Sequence, residues 1–192
     1  MREKWIVETK KGDFNGLSAK LKVSPLAVRC LMNRGVESEQ EMREFLYGTL
    51  DDLHDPFLMK GMDEAVREIV KAKEQGRKVA IASDFDCDGI FSAYILWKGF
   101  QKIGLDSEIF TPDRVKEGYG LNRRIVDEAL AGGRDFLVTC DNGIAANEEV
   151  DYAKKLGMTV IVTDHHEVQE QMPNADAILD PCLLYTSDAA DE

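Results

Sequence analysis

The segment Lys78-Val-Ala-Ile-Ala-Ser-Asp84-Phe-Asp86-Cys-Asp88-Gly89 decides the fold class of this chain. Its first half is apolar and has the length of a buried β-strand, and its second half carries three alternating carboxylates before a glycine. A helix is expected to begin near Ile90. Three carboxylates this close repel one another unless a cation lies among them, and hard ions such as Mg²⁺ and Mn²⁺ prefer oxygen ligands. The segment therefore predicts a metal site at the end of a strand.

Further apolar runs of strand length follow this segment. We expect strands at 78–83, 107–111, 135–140, 159–163 and 177–179, and helices at about 62–75, 90–103, 122–131 and 145–156. Apolar strands separated by helix-length segments are typical of a parallel sheet with helices on both faces. The predicted fold class is therefore α/β, a doubly wound and mainly parallel sheet of about five strands.

The beginning and the end of the chain differ from this pattern. Ser24-Pro25 and the capping box Ser38-Glu-Gln-Glu41 predict helix starts. We therefore expect a small helical segment over 1–60, followed by the α/β domain over 61–181. Residues 182–192 show no strand alternation and no helical stripe, and they resemble the translated adapter of a sequencing library. We expect them to be a non-native tail and the natural protein to continue past residue 181.

Composition restricts the possible functions. The chain has 192 residues, of which 44% are hydrophobic, so it can bury a sizeable core. No apolar run approaches the roughly 20 residues that cross a bilayer, so we expect a cytoplasmic protein without membrane association. The four cysteines include no CxxC pair, which favours reduced thiols over a zinc site. The net charge of −12 excludes a broadly basic face, so nucleic acid would have to be held by metal and local basic residues.

Polar clusters follow three of the predicted strands. Besides the three aspartates of the first segment, Asp141-Asn-Gly follows the third strand and Asp164-His-His follows the fourth. Ligands of open parallel sheets bind outside the carboxyl ends of the strands, so these clusters are expected to converge in one crevice. A single aspartate after a strand is commonly a turn or cap residue. Three such clusters with two adjacent histidines instead favour a metal site.

The order Asp-x-Asp-x-Asp-Gly, Asp-Asn-Gly and Asp-His-His resembles the DHH phosphoesterase superfamily. Within that superfamily, residues 53–58, 61–66 and 112–121 are similar to the RecJ family of exonucleases. This resemblance implies hydrolysis of phosphodiester bonds in single-stranded DNA from the 5′ end, in DNA repair and recombination. The implied cofactors are two cations, Mn²⁺ or Mg²⁺, which together can activate a water and orient the phosphate.

The resemblance also assigns roles to individual residues. Asp141 is expected to bridge the two cations and His166 to contact the scissile phosphate, so these two are the expected catalytic residues. Asp164 and Asn142 are expected to support the ligands from behind. The implied metal ligands are Asp84, Asp86, Asp88, Asp141 and His165.

Substrate contacts are expected from two places. Gly89 permits close approach of backbone to a phosphate. Arg114 and Lys116 offer cations, and Tyr119 offers an aromatic ring, for holding a phosphate and stacking a base. A solvated loop is the alternative interpretation of 114–119.

The resemblance further implies a metal-binding aspartate and additional domains beyond the third motif. Asp180 lies too close to that motif to be a clear substitute, so we expect this chain to cleave poorly as a fragment. A helicase or a single-strand-binding protein is an expected partner of the full-length protein.

Other functions stay open at this stage. A related DHH phosphodiesterase acting on short oligonucleotides or cyclic dinucleotides would use the same metals. A DHH-type inorganic pyrophosphatase fits less well, because that group usually has a histidine ahead of the first aspartates. A non-catalytic metal- or nucleotide-binding module is a further possibility. A receiver-like phosphoacceptor domain also clusters aspartates at strand ends, but paired histidines are not expected there.

Overall fold

A computed structural model describes residues 10–183, which belong to two compact units divided between Asp55 and Pro56. The sequence favoured a division a few residues later, after residue 60. Of the predicted non-native tail, 184–192 lie outside the described residues. Its first two residues complete a 3₁₀ turn, Pro181–Leu183. The origin of the tail stays a prediction.

The N-terminal unit consists of three short helices, α1 (Phe14–Leu21), α2 (Pro25–Asn33) and α3 (Glu39–Tyr47). The expected capping box is present: Ser38 Oγ accepts the Glu41 N–H at 3.1 Å, and the Glu41 carboxylate accepts the Ser38 N–H at 2.9 Å. These bonds satisfy donors that a helix start otherwise leaves unpaired. The helices pack on a small apolar core centred on Leu21, Val28 and Met42.

The second unit alternates strands and helices. Its elements are α4 (Met62–Glu74), β1 (Val79–Ser83), α5 (Cys87–Lys102), β2 (Ser107–Phe110), α6 (Arg123–Ala131), β3 (Phe136–Cys140), α7 (Asn147–Lys155), β4 (Thr159–Thr163) and β5 (Ala177–Leu179). The strands form one parallel sheet in the order β2-β1-β3-β4-β5. The predicted α/β fold is therefore confirmed.

Alternation along the strands builds a core on each face of the sheet. Val79 and Ile81 of β1 belong to the core beneath α4 and α5, whereas Ala80 and Ala82 belong to the core beneath α6 and α7. Both cores consist mainly of buried aliphatic side chains, and Phe100 and Phe136 add aromatic rings to the first. Because the strand order reverses between β1 and β3, a crevice is expected at the carboxyl ends of these two strands.

The turn from β1 into α5 is tighter than the sequence predicted. The helix begins at Cys87 instead of near Ile90, because Oδ1 of Asp86 accepts the Gly89 N–H at 3.0 Å and caps it. Asp88 consequently lies in the first helical turn. A Cβ on Gly89 would lie 2.4 Å from the carbonyl oxygen of Asp84. Only glycine fits this turn without moving the backbone.

Candidate metal centre

Four neighbouring strands end in an aspartate at the same edge of the sheet. The register pairs Ser83 with Cys140, Val138 with Ile161, and Thr163 with Leu179. The residues that directly follow β1, β3, β4 and β5 therefore form a row across strands about 4.8 Å apart. All four are buried, with exposed fractions between 0% and 8%. They are Asp84, Asp141, Asp164 and Asp180.

Three of these four aspartates keep a buried carboxylate oxygen without a hydrogen-bond partner. The unpaired atoms are Oδ2 of Asp84, Oδ2 of Asp141 and Oδ2 of Asp180. A buried carboxylate oxygen without a donor is costly, and a bound cation is one way to compensate it. The sequence analysis did not include Asp180 among the expected metal ligands, because it lies close to the third motif. Its position directly after a predicted strand indicated that it could lie beside the other strand-end aspartates.

Asp141 is the point at which the second and third motifs meet. Nε2 of His165 lies 2.7 Å from Oδ1 of Asp141. His166 joins them, since one ligand atom from each of the three residues lies within 4.8 Å of the others. Burial raises the pKa of Asp141, and the neighbouring Asp86 raises it further, while the bond to His165 opposes the shift. A cation at this position would relieve the same burial cost.

Asp86 and Asp88 of the first motif lie at the start of α5, next to Asp141 and His165. The Gly89 N–H bond lowers the pKa of Asp86, and the interaction with Asp141 lowers it further. The two carboxyl groups therefore affect each other's protonation in opposite directions. Asp88 lines a cleft of about 490 Å³ together with Asp141 and His165. The structure thus brings residues of all three motifs together.

Asp164 holds the two histidines from behind. Its Oδ1 accepts the backbone N–H of His165 at 2.8 Å and contacts Nδ1 of His166 at 2.7 Å. Its Oδ2 accepts the Ile144 N–H at 2.9 Å. The hydrogen bond to Asp164 is the main cause that raises the pKa of His166. Both carboxylate oxygens of Asp164 are therefore engaged in hydrogen bonds.

Asn142 ties the ends of β1 and β3 together. Its side-chain N–H₂ donates to the carbonyl oxygens of Ala82 at 3.1 Å and Cys140 at 2.9 Å. Its Oδ1 accepts the Leu121 N–H at 3.1 Å. Asn142 is 1% exposed, and its side-chain bonds all go to backbone groups. The residue supports the loop that carries Asp141.

The expected substrate-binding residues occupy two different settings. Lys116 is exposed, 3.8 Å from Asp113, and the guanidinium of Arg114 lies 5.1 Å from the ring centroid of Phe85. Tyr119 instead turns toward the centre, where its hydroxyl donates to the carbonyl oxygen of Asp141 at 2.5 Å. Phe85 was not among the residues predicted from the sequence to contact a substrate. Its position between the first two aspartates of the motif was the feature that could have indicated it.

The donor set fits a hard divalent cation. It is dominated by carboxylate oxygens, some of them buried and unpaired, and it includes an imidazole, a composition suited to Mn²⁺ or Mg²⁺. The fold and this edge of the sheet therefore define a class: parallel α/β proteins with a carboxylate and imidazole crevice at the topological switch point.

Comparison with known proteins agrees with this class. The DHH family, N-terminal domain, matches residues 78–191, and the chain belongs to this family. The chain is also 37% identical over 179 residues to the single-stranded-DNA-specific exonuclease RecJ of Bacillus subtilis, a match that covers 93% of this chain and 23% of that protein. The chain thus spans about a quarter of the length of the curated relatives it matches.

Two solved structures are similar to the fold. A crystal structure of exonuclease RecJ bound to manganese has a TM-score of 0.64 and 33% identity, over 71% of this chain and 34% of that one. RecJ from Thermus thermophilus in complex with Mn²⁺ has a TM-score of 0.63 and 28% identity, over 88% of this chain and 23% of that one. Among residues 10–183, no helix combines the length and apolarity that spanning a bilayer requires.

Proposed function

We propose that this chain carries the cation-dependent centre of a nuclease that hydrolyses phosphodiester bonds in single-stranded DNA as a 5′-to-3′ exonuclease of repair and recombination. One observation carries the proposal: residues of all three DHH motifs converge at one edge of the sheet, around buried carboxylate oxygens without partners. Similarity to proteins named as single-stranded-DNA-specific exonucleases supports the substrate class. A helicase or a single-strand-binding protein is the proposed partner of the full-length protein.

The cations would be Mn²⁺ or Mg²⁺. When bound, a pair of such ions activates a water for attack and stabilises negative charge on the phosphate. Asp141 is the proposed bridging carboxylate, because it is buried between Asp86 on one side and His165 on the other. The proposed ligands are Asp84, Asp86, Asp88, Asp141 and His165.

His166 is the proposed contact to the scissile phosphate. Its Nδ1 is held by Asp164 at 2.7 Å, which fixes the orientation of the ring. The same contact raises the pKa of His166, so the ring keeps its proton to higher pH. A protonated imidazole stabilises developing negative charge and can return a proton to a leaving oxygen. Asp164 acts through His166 by holding it.

The loop before α6 is the proposed DNA contact. Lys116 is 81% exposed, and Arg114 lies against Phe85 beside the first motif. Exposed cations next to an aromatic ring suit the phosphates and bases of a single strand. Gly89 lies in the first turn of α5, whose N-terminus is the proposed place of a phosphate, and its missing Cβ makes room for the backbone of Asp84.

The test combines cation binding with cleavage. The 192-residue chain is titrated with Mn²⁺ and incubated with 5′-labelled single-stranded and duplex DNA. We expect Mn²⁺ binding and, as for a poorly active fragment, only slow release of mononucleotides from the single strand, both lost in Asp141→Asn. The matched control is Asp63→Asn, which removes one exposed carboxylate from the first turn of α4.

Other results would assign a different function. Hydrolysis of a cyclic dinucleotide or a dinucleotide without hydrolysis of longer single strands would overturn the exonuclease in favour of a related phosphodiesterase. Mn²⁺ binding without hydrolysis of any of these substrates would favour a non-catalytic module. A folded chain that binds no Mn²⁺ would remove the metal centre itself.

A further inference from the structure

One short segment touches residues of all three motifs. Within 118–121, the backbone N–H of Gly120 donates to Oδ1 of Asp84 at 3.2 Å. The hydroxyl of Tyr119 donates to the carbonyl oxygen of Asp141 at 2.5 Å. The ring of Tyr119 meets the ring of His166 edge-on, with centroids 5.7 Å apart. These contacts join a connecting loop to the first, second and third motifs at once.

The residue that Tyr119 holds has an unusual backbone conformation. Asp141 has a φ of 62°, and among residues 10–183 only Lys22 is another non-glycine residue with positive φ. This left-handed region is unfavourable for residues with a Cβ, so it persists only where neighbours enforce it. The Asp141 N–H donates to the carbonyl oxygen of Thr163 at 3.1 Å. Its carbonyl oxygen accepts from Tyr119, so both backbone polar groups of Asp141 are fixed.

We propose that Tyr119 is a positioning residue, whose hydroxyl holds Asp141 in the left-handed conformation and so directs its carboxylate toward His165 and the cations. This inference rests on the proposed metal centre. The side chain of Asp141 follows its backbone, because φ sets the direction of the Cα–Cβ bond. A base-stacking role, by contrast, would use only the aromatic ring of Tyr119.

The Tyr119 hydroxyl is suited to this task. A phenolic hydroxyl is a hydrogen-bond donor at neutral pH, and here it points at the carbonyl oxygen of Asp141. The neighbouring glycines, Gly118 and Gly120, have φ values of 81° and 77°. These conformations turn the loop so that its backbone and the Tyr119 side chain both face the centre.

The substitution Tyr119→Phe separates the two roles, because it removes the hydroxyl and keeps the ring. In Mn²⁺ titration calorimetry on the 192-residue chain, we expect about tenfold weaker binding, in the range for loss of a group that supports a metal ligand. The control is Tyr152→Phe, which removes a hydroxyl bonded at 2.8 Å to exposed Asp127. Unchanged Mn²⁺ affinity in Tyr119→Phe would overturn the inference, whereas a wild-type chain that binds no Mn²⁺ would overturn the metal centre.

A second measurement needs no cation. Amide hydrogen exchange followed by NMR reports how firmly the turn at Asp141 and Asn142 is held. We expect both amides to exchange about three- to tenfold faster in Tyr119→Phe, as loss of one hydrogen bond implies, and unchanged in Tyr152→Phe. Equal protection in the wild type and Tyr119→Phe would show that the hydroxyl does not hold Asp141, whatever the metal titration gives.

Discussion

Nε2 of His165 lies 2.7 Å from Oδ1 of Asp141, although the two residues follow different strands and are 24 positions apart. Adjacency of β3 and β4 in the parallel sheet produces this contact. Asp141 is buried and interacts with Asp86, so its negative charge is disfavoured in the metal-free chain. The imidazole offsets only part of this cost. The same arrangement provides a carboxylate and an imidazole for a cation.

Asp141→Asn should stabilise the metal-free chain while it removes the response to Mn²⁺. Because burial raises the pKa of Asp141, ionisation of its carboxyl group lowers the stability of the fold. This loss of stability develops as pH rises through the raised pKa of the folded chain. The neutral amide avoids the loss, so at pH 7 we expect a melting temperature about 2–4 °C higher without Mn²⁺. Wild type should melt higher in Mn²⁺ than without it, and Asp141→Asn should not. A lower metal-free melting temperature in Asp141→Asn would contradict this account.

Asp164→Asn should lower the pKa of His166. The hydrogen bond from His166 to the Asp164 carboxylate is the largest cause that raises this pKa, and an amide oxygen holds a protonated imidazole less strongly. NMR titration of the imidazole signals measures the change, with His166→Gln used to assign them. In wild type, the protonated His166 stabilises the fold below its ordinary pKa near 6.5, and this stabilisation is lost as pH rises through the raised value. An unchanged His166 pKa would show that Asp164 does not hold the ring.

Two glycines of α5 should respond oppositely to alanine. A Cβ on Gly89 would lie 2.4 Å from a backbone oxygen of Asp84, so Gly89→Ala should lower the free energy of unfolding by about 1–3 kcal/mol. A Cβ on Gly99, in the same helix, meets no atom within 4 Å. Gly99→Ala should therefore raise the free energy of unfolding by up to about 1 kcal/mol through helix propensity. Urea denaturation compares the two variants, and similar effects from both would contradict the tight turn.

The stability contributed by Glu117 should disappear in acid. Hydrogen bonds from Arg124 lower the pKa of Glu117 from 4.5 to about 2. A carboxylate whose pKa is lowered by folding contributes stability at pH values above its ordinary pKa. For Glu117 this contribution is lost as pH falls through about 2. Melting temperatures of wild type and Glu117→Gln should therefore differ above pH 4.5 and converge toward about pH 2. Glu148→Gln, an exposed change on α7, is the control, and a difference that does not depend on pH would contradict the ion pair.

Sequence patterns predicted most of this fold because its strands are apolar and buried on both faces. The strands at 159–163 and 177–179 have the predicted bounds, and the others differ by a residue at one end. The start of α5 was harder to predict, because the cap that begins the helix is Asp86, itself one of the motif aspartates. Because the motif was interpreted as non-helical up to Gly89, the first turn of α5 was missed.

The candidate site was predictable in part for a related reason. Residues after parallel strands converge, so the three motifs could be placed in one crevice from their order alone. Asp180 directly follows the predicted strand 177–179, but its place in the row depends on the pairing of β5 with β4, which the sequence does not show. The contact of Tyr119 with Asp141 depends on how a loop folds back, and loop residues carry no periodic signal.

Sequence by itself determined the fold class, the three aspartate-containing motifs and the family, because each depends on local residue order and on hydrophobic period. Tertiary structure alone decided which groups are buried together. It placed four aspartates in one row, left three carboxylate oxygens without partners, and set Asp141 in a left-handed conformation beneath Tyr119. These properties arise from strand register and loop packing, which join residues far apart in the chain and leave no local pattern.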